Sequence, residues 1–154
     1  MAKIPLLILS FLLLTLHSLS QNPNPNSAYE ELKLRGFPVG LLPADVSSYS
    51  LNRTSGEFSV DLGGRCQLLL PPDNYLASYS RRVTGKLLDG RIDDLDGIKV
   101  RAFFSWWSIT RIRSSGEDLV FEVGVASAKY PAKNFDESQE CEGRRKKNRK
   151  VADY

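Results

Sequence analysis

The apolar positions of this chain change their period near Val46. Before that point the stretch Ser27-Ala28-Tyr29-Glu30-Glu31-Leu32-Lys33-Leu34-Arg35 predicts one short helix over Ala28 to Arg35. Ser27 is placed to cap it, Glu30 and Glu31 fall in the first turn, where the helix dipole favours acids, and Lys33 and Arg35 fall in the last. Gly36 ends it. The following GFPVGLLPADV has two glycines and two prolines around Phe37, Val39, Leu41 and Leu42, which predicts an irregular but buried crossing toward the first strand.

Beyond Val46 the period becomes two. Tyr49 and Leu51 lead into a turn at Asn52 to Gly56, and Phe58, Val60 and Leu62 return on one face, a β-hairpin pattern. Further strands are predicted around Cys66 to Leu70, stopped by Pro71-Pro72, and through Tyr75, Ala77 and Tyr79. Val83 to Leu88, Gly90 to Leu95, Ile98 to Ile112 and Leu119 to Ala126 follow, each bounded by Gly, Asp, Ser or Pro. Many short strands with one helix predict a mainly β fold: a curved antiparallel sheet or β-barrel-like domain with one short N-terminal helix.

The run IKVRAFFSWWSITRI is read as one strand in which Ile98, Val100, Ala102, Phe104 and Trp106 face one way and Phe103, Trp107 and Ile109 the other. Both faces are apolar over its middle. Either helix and loops cover the sheet, or the sheet wraps around an apolar interior. In the second case Phe103, Phe104, Trp106 and Trp107, with the Phe58/Val60/Leu62 face, are candidate walls of a cavity for a lipid or other apolar small molecule.

The amino terminus adds a compartment. Lys3, the apolar run Ile4 to Leu16 and the small residues Ser18 and Ser20 form the three parts of a secretory signal peptide over residues 1–20, and a run of 13 residues is too short to span a bilayer. Residues 21–27 then read as a Pro/Asn linker, 28–141 as a single β-rich domain and 142–154 as a disordered basic tail. The destination implied is the secretory pathway, either the extracellular space and cell wall or an endomembrane lumen. In that oxidising setting the two cysteines, Cys66 and Cys141, about 75 residues apart, pair as a disulfide, with two free thiols as the alternative. Asn52-Arg53-Thr54 is a glycosylation sequon beside a turn.

The net charge of +3 conceals an asymmetry. Arg144, Arg145, Lys146, Lys147, Arg149 and Lys150 crowd the end, whereas residues 21–143 have 14 basic against 17 acidic side chains. Secretory entry argues against nucleic acid as the partner of this tail. A solvated tail and one that meets an anionic membrane surface or acidic polysaccharide are both open.

Catalytic chemistry is thinly represented. The one histidine, His17, lies in the signal segment, which excludes Ser-His-Asp and Cys-His hydrolysis and histidine-based zinc sites in the mature chain. No phosphate-binding or dinucleotide motif occurs, and no residue is singled out as catalytic. Asp89, Asp93, Asp94 and Asp96 match no calcium loop and suit tight turns instead, so neither metal nor cofactor is expected.

YEEL near the mature start, GFPVGLLP, the hairpin Tyr49 to Leu62, GGRCQ, IDDLDGIKVRAFFSWWSITRI, DLVFEVGVASAKYPAKNF and a late cysteine together resemble the plant domain-of-unknown-function 538 family over residues 28–141. The resemblance implies a curved β-barrel-like sheet similar in shape to tubular lipid-binding domains. It also implies a role in trichome development or stress responses, with weak esterase action proposed for some members. The tail RRKKNRK and the doubled Trp106-Trp107 depart from the family pattern.

Three readings follow. The first is a secreted or endomembrane non-catalytic module that binds a lipid or other amphiphile. The second is a structural or regulatory cell-surface protein with a protein or polysaccharide partner, and the third a weak carboxylic ester hydrolase.

Overall fold

Alternating side chains between Ser48 and Pro131 build eight strands, all antiparallel, in the computed structural model, which describes residues 23–142. They are β1 (Ser48–Leu51), β2 (Glu57–Asp61), β3 (Cys66–Leu70), β4 (Tyr75–Leu88), β5 (Arg91–Ala102), β6 (Ser105–Ser115), β7 (Asp118–Val123) and β8 (Ala126–Pro131). The sheet is a meander. The 14-residue β4 pairs along one edge with β2 and β3 laid end to end, and along the other with β5. β6, β7 and β8 follow by hairpins, and among the described residues β1, β8 and the outer side of β3 pair with no further strand, so the sheet curls without closing. Register shifts in β4/β5, β5/β6 and β6/β7 mark the bulges that bend it.

Two strands read separately from the sequence, Tyr75 to Tyr79 and Val83 to Leu88, are one long β4. Conversely, the single strand read over Ile98 to Ile112 is a hairpin: β5 ends at Ala102, Phe103 and Phe104 form a two-residue turn with φ of 51° and 62°, and β6 begins at Ser105. Leu119 to Ala126 likewise breaks at Gly124-Val125, and β8 is a further strand.

Helix α1 (Ser27–Leu34) begins one residue earlier than expected. Ser27 is its first residue and not its cap, and its hydroxyl donates to the Asn24 carbonyl at 2.7 Å. Ala28, Glu31 and Leu32 turn inward, and Glu31, the one charged side chain among the buried residues described, pairs with Arg53 of the β1–β2 turn. The helix end is tied to the β4–β5 turn, where Arg35 meets Asp89 at 2.9 Å and its carbonyl accepts from Gly90 N–H at 2.8 Å.

The concave face of the sheet holds the core. Val60, Val83, Leu87, Ile92 and Ile112 pack beneath α1, and the crossing segment adds Phe37, Leu41, Leu42 and Val46, all buried. Leu62 and Leu119 are almost wholly enclosed, each contributing about 1.5–3 kcal/mol through burial. The chain after β8 returns across this layer: Phe135 is buried against Phe121, the Ser138 hydroxyl donates to Val39 O at 2.9 Å, and Gln139 O accepts from Ala44 N–H at 2.8 Å. Gly40 lies so close to this return that a β-carbon there would stand 2.2 Å from Phe135 O. Cys66 of β3 is bonded to Cys141, with Cα atoms 5.1 Å apart, and pins the end of the return to the sheet.

Candidate functional site

The cover over the concave face is incomplete. The helix and crossing shield the half of the sheet nearest β1 and β2, and Phe135 shields its middle, but among the described residues no further element lies over the ends of β5 to β8. A cavity of about 350 Å³ remains there, within the usual range for small-molecule sites. Ile109, Phe121 and Phe135 are its most buried lining residues, Val100 and Val123 flank them, and Trp107, Phe103, Pro71 and Ala126 stand toward the rim.

Cross-strand register explains this gathering. Val100 is paired with Trp107, Ile109 with Val123 and Phe121 with Ala128, so side chains from four strands share one face. The small residues Ala126 and Ala128 on β8 leave the space that larger ones would fill. The Trp107 indole N–H donates to Ala102 O at 3.0 Å, which holds the ring against the end of the β5–β6 hairpin.

Polar groups are few in this cavity: Ser127 and the tyrosines Tyr75 and Tyr130. Burial raises the Tyr130 phenol above its ordinary pKa, and the adjoining Tyr75 hydroxyl and the Asp73 carboxylate push it further in the same direction. The Tyr130 phenol is therefore a neutral donor and acceptor near pH 7, and with the Tyr75 hydroxyl beside it is suited to orient one polar group of a ligand whose remainder is apolar. Deeper in the core, Tyr79 donates to Leu41 O at 3.0 Å, and complete burial holds its phenol far above the ordinary value.

The residues singled out from the sequence separate into three places. Phe103 and Trp107 line the cavity. Phe104 is 99 % exposed at the hairpin tip, and Trp106 lies on the opposite, convex face, paired with Arg101, whose guanidinium stands 5.8 Å from its ring centre. The turn accounts for this division: it reverses the chain after Ala102, so the alternation of one continuous strand does not carry through. Phe58 and Val60 face α1 around a residual space of about 50 Å³, and Leu62 is sealed in the core. Much of the cavity wall comes from residues not picked out as a site, namely Tyr75, Phe121, Ala128, Tyr130 and Phe135. The alternation Ala126, Ala128, Tyr130 after Gly124 is the signal that would have found the β8 wall.

The acidic group is engaged elsewhere. Asp89 holds Arg35, Asp93 receives Arg91 and Arg111 at 2.8 Å each, and Asp94 takes a left-handed φ of 50° within β5. Among the described residues no group of three or more His, Cys, Asp or Glu is arranged to hold a metal ion. Asn52 is exposed at the β1–β2 turn, with its side-chain oxygen accepting from Thr54 and Ser55 N–H. The segment expected to be a signal peptide, residues 1–20, and the six basic residues between Arg144 and Lys150 lie outside the described residues.

A family model described as "Protein of unknown function, DUF538" matches residues 28–136. An uncharacterized protein of Arabidopsis thaliana is 26 % identical over 109 residues, which are 71 % of this chain and 61 % of that protein. The chain thus spans less than two thirds of the length of the curated relative it matches. No solved structure matches.

Proposed function

We propose a function for this chain, which belongs to the plant family of unknown function DUF538, from the chemistry of its site: it is a non-catalytic carrier or receptor module for one lipid-like or other amphipathic small molecule. The observation that carries the reading is the cavity of about 350 Å³ with its almost wholly apolar wall and the hydroxyl-bearing Tyr75 and Tyr130 in its lining. An apolar ligand portion displaces water from Ile109, Phe121 and Phe135, while its polar end takes hydrogen bonds from Tyr75 or Tyr130. The module works in the secretory pathway, as the amino-terminal pattern of residues 1–20 and the exposed sequon at Asn52 suggest. The basic tail is proposed as a separate electrostatic contact with an anionic membrane or polysaccharide.

The reading is tested by uptake of an apolar fluorescent dye. Ala128 faces the cavity opposite Phe121, so Ala128→Trp fills it from within. The expected result is saturable uptake by the native protein, abolished in Ala128→Trp but retained in Trp106→Ala, whose side chain lies on the other face. Equal uptake by all three, or none by the native protein, contradicts a ligand site here.

A further inference from the structure

The two ends of the sheet differ sharply. Three hairpin turns meet at one end: residues 71–74 between β3 and β4, Phe103-Phe104 between β5 and β6, and Gly124-Val125 between β7 and β8. Pro71, Phe103 and Ala126 from the three turn regions border the same cavity mouth. Phe103, Phe104 and Val125 project there with 88 %, 99 % and 112 % exposure. Across Leu69 to Leu76, Arg101 to Trp106 and Val123 to Ser127 the only charged side chains are Asp73 and Arg101. The opposite end, by contrast, carries Arg53, Asp89, Glu117 and the sequon Asn52 in its turns.

The β5–β6 turn itself is an unusual place for two phenylalanines. Both take left-handed φ values, which two-residue hairpin turns ordinarily assign to Asn-Gly and which bulky side chains disfavour. Folding would therefore be better served by other residues, and aromatic side chains held in strain at a fully exposed tip point to a use outside the fold. Lys99 and Arg101 project from the exposed face of β5 just behind the tip, and no ion pair among the described residues involves either. Behind the apolar tip, Arg101 stands level with Trp106 and Lys99 lies one pair beyond Trp107, so aromatic rings and cations together occupy the zone that the headgroup layer of a lipid leaflet would meet.

We infer that this end of the sheet docks on a phospholipid surface. Phe103, Phe104 and Val125 enter the acyl region, Trp106 and Trp107 lie at the headgroup level, and Arg101 and Lys99 meet the phosphates. The cavity mouth then faces the leaflet, and the charged end with Asn52 faces water. This docking does not require the cavity to be occupied, because Phe104 and Val125, the most exposed residues of the tip, stand outside the cavity wall.

The chain has only two tryptophans, and both flank the tip, so intrinsic fluorescence reports on this site directly. Protein purified from plant cells is mixed with pure phosphatidylcholine vesicles in high salt, which silences the basic tail. The test variant is Phe103→Asn/Phe104→Gly, a turn sequence better suited to the same backbone. The native protein is expected to float with the vesicles and shift its tryptophan emission to the blue. The variant is expected to partition roughly tenfold or more weakly, from the loss of two inserted aromatic rings, with a thermal midpoint no lower than native. Undiminished partition of the variant, or no partition of the native protein, overturns the inference. A native dimer that the variant converts to monomer, without vesicle binding, assigns the tip to a second copy and overturns it as well.

Discussion

Single residues in this fold are constrained by what the returning chain leaves no room for. Gly40 sits under the Phe135 and Glu137 carbonyls, whose oxygens would stand 2.2 Å and 2.6 Å from a β-carbon. Gly40→Ala must therefore displace backbone, and we expect a loss of about 1–3 kcal/mol, read as a lower urea midpoint. Tyr79 is constrained by charge instead of volume. Its phenol is held neutral by complete burial, and unfolding frees it to ionise with an ordinary pKa of about 10. The stability linked to its proton is thus complete below that pH and is lost as pH rises above it. In Tyr79→Phe this share of the alkaline decline should vanish, at a cost of about 1–3 kcal/mol near neutrality because Leu41 O loses its donor. Equilibrium unfolding followed between pH 8 and about 11 distinguishes the two effects.

At the scale of elements, the β5–β6 hairpin combines a strained turn with well-paired flanks. Asn-Gly in place of Phe103-Phe104 should raise global stability by roughly 1–3 kcal/mol by relieving two left-handed aromatic residues, as thermal unfolding would show. This hairpin also marks what was legible in the sequence. The β1–β2 hairpin was readable because Asn52 to Gly56 interrupts a clean alternation, and the helix because acids and bases flank its apolar residues. The Phe103-Phe104 turn was not, since neither of its residues announces a turn, and Val100 and Ala102 before it and Trp106-Trp107 after it extend the apolar pattern past it. Because of this turn Trp106 lies on the face away from the cavity and Phe104 at the hairpin tip, while Trp107 and Phe103 border the cavity. The β8 wall was hidden for a related reason: Ala126 and Ala128 matter by being small, and small residues give a weak alternation signal.

For the whole molecule, the stability of the cavity depends on one long closure. The Cys66–Cys141 bond joins residues 75 apart and holds the return segment that brings Phe135 against Phe121. In the chain-entropy model such a loop is worth about 4 kcal/mol, so a Cys66→Ala/Cys141→Ala variant should unfold at markedly lower denaturant. At denaturant concentrations where it remains folded, it should take up apolar dye more weakly, because Phe135 forms part of the cavity wall. The sheet then acts as an open trough, sealed on one half by α1 and the crossing segment and exposed on the other, with its apolar tip at the mouth and its charges at the far end. The central claim is that the unsealed half holds a small amphipathic molecule. Native mass spectrometry of the protein purified from plant cells, followed by organic extraction, tests it most directly. We expect a stoichiometric added mass that extracts as a lipid or similar amphiphile and is absent from Ala128→Trp. A mass equal to the covalent chain alone, in protein that also refuses apolar dye, would contradict the account.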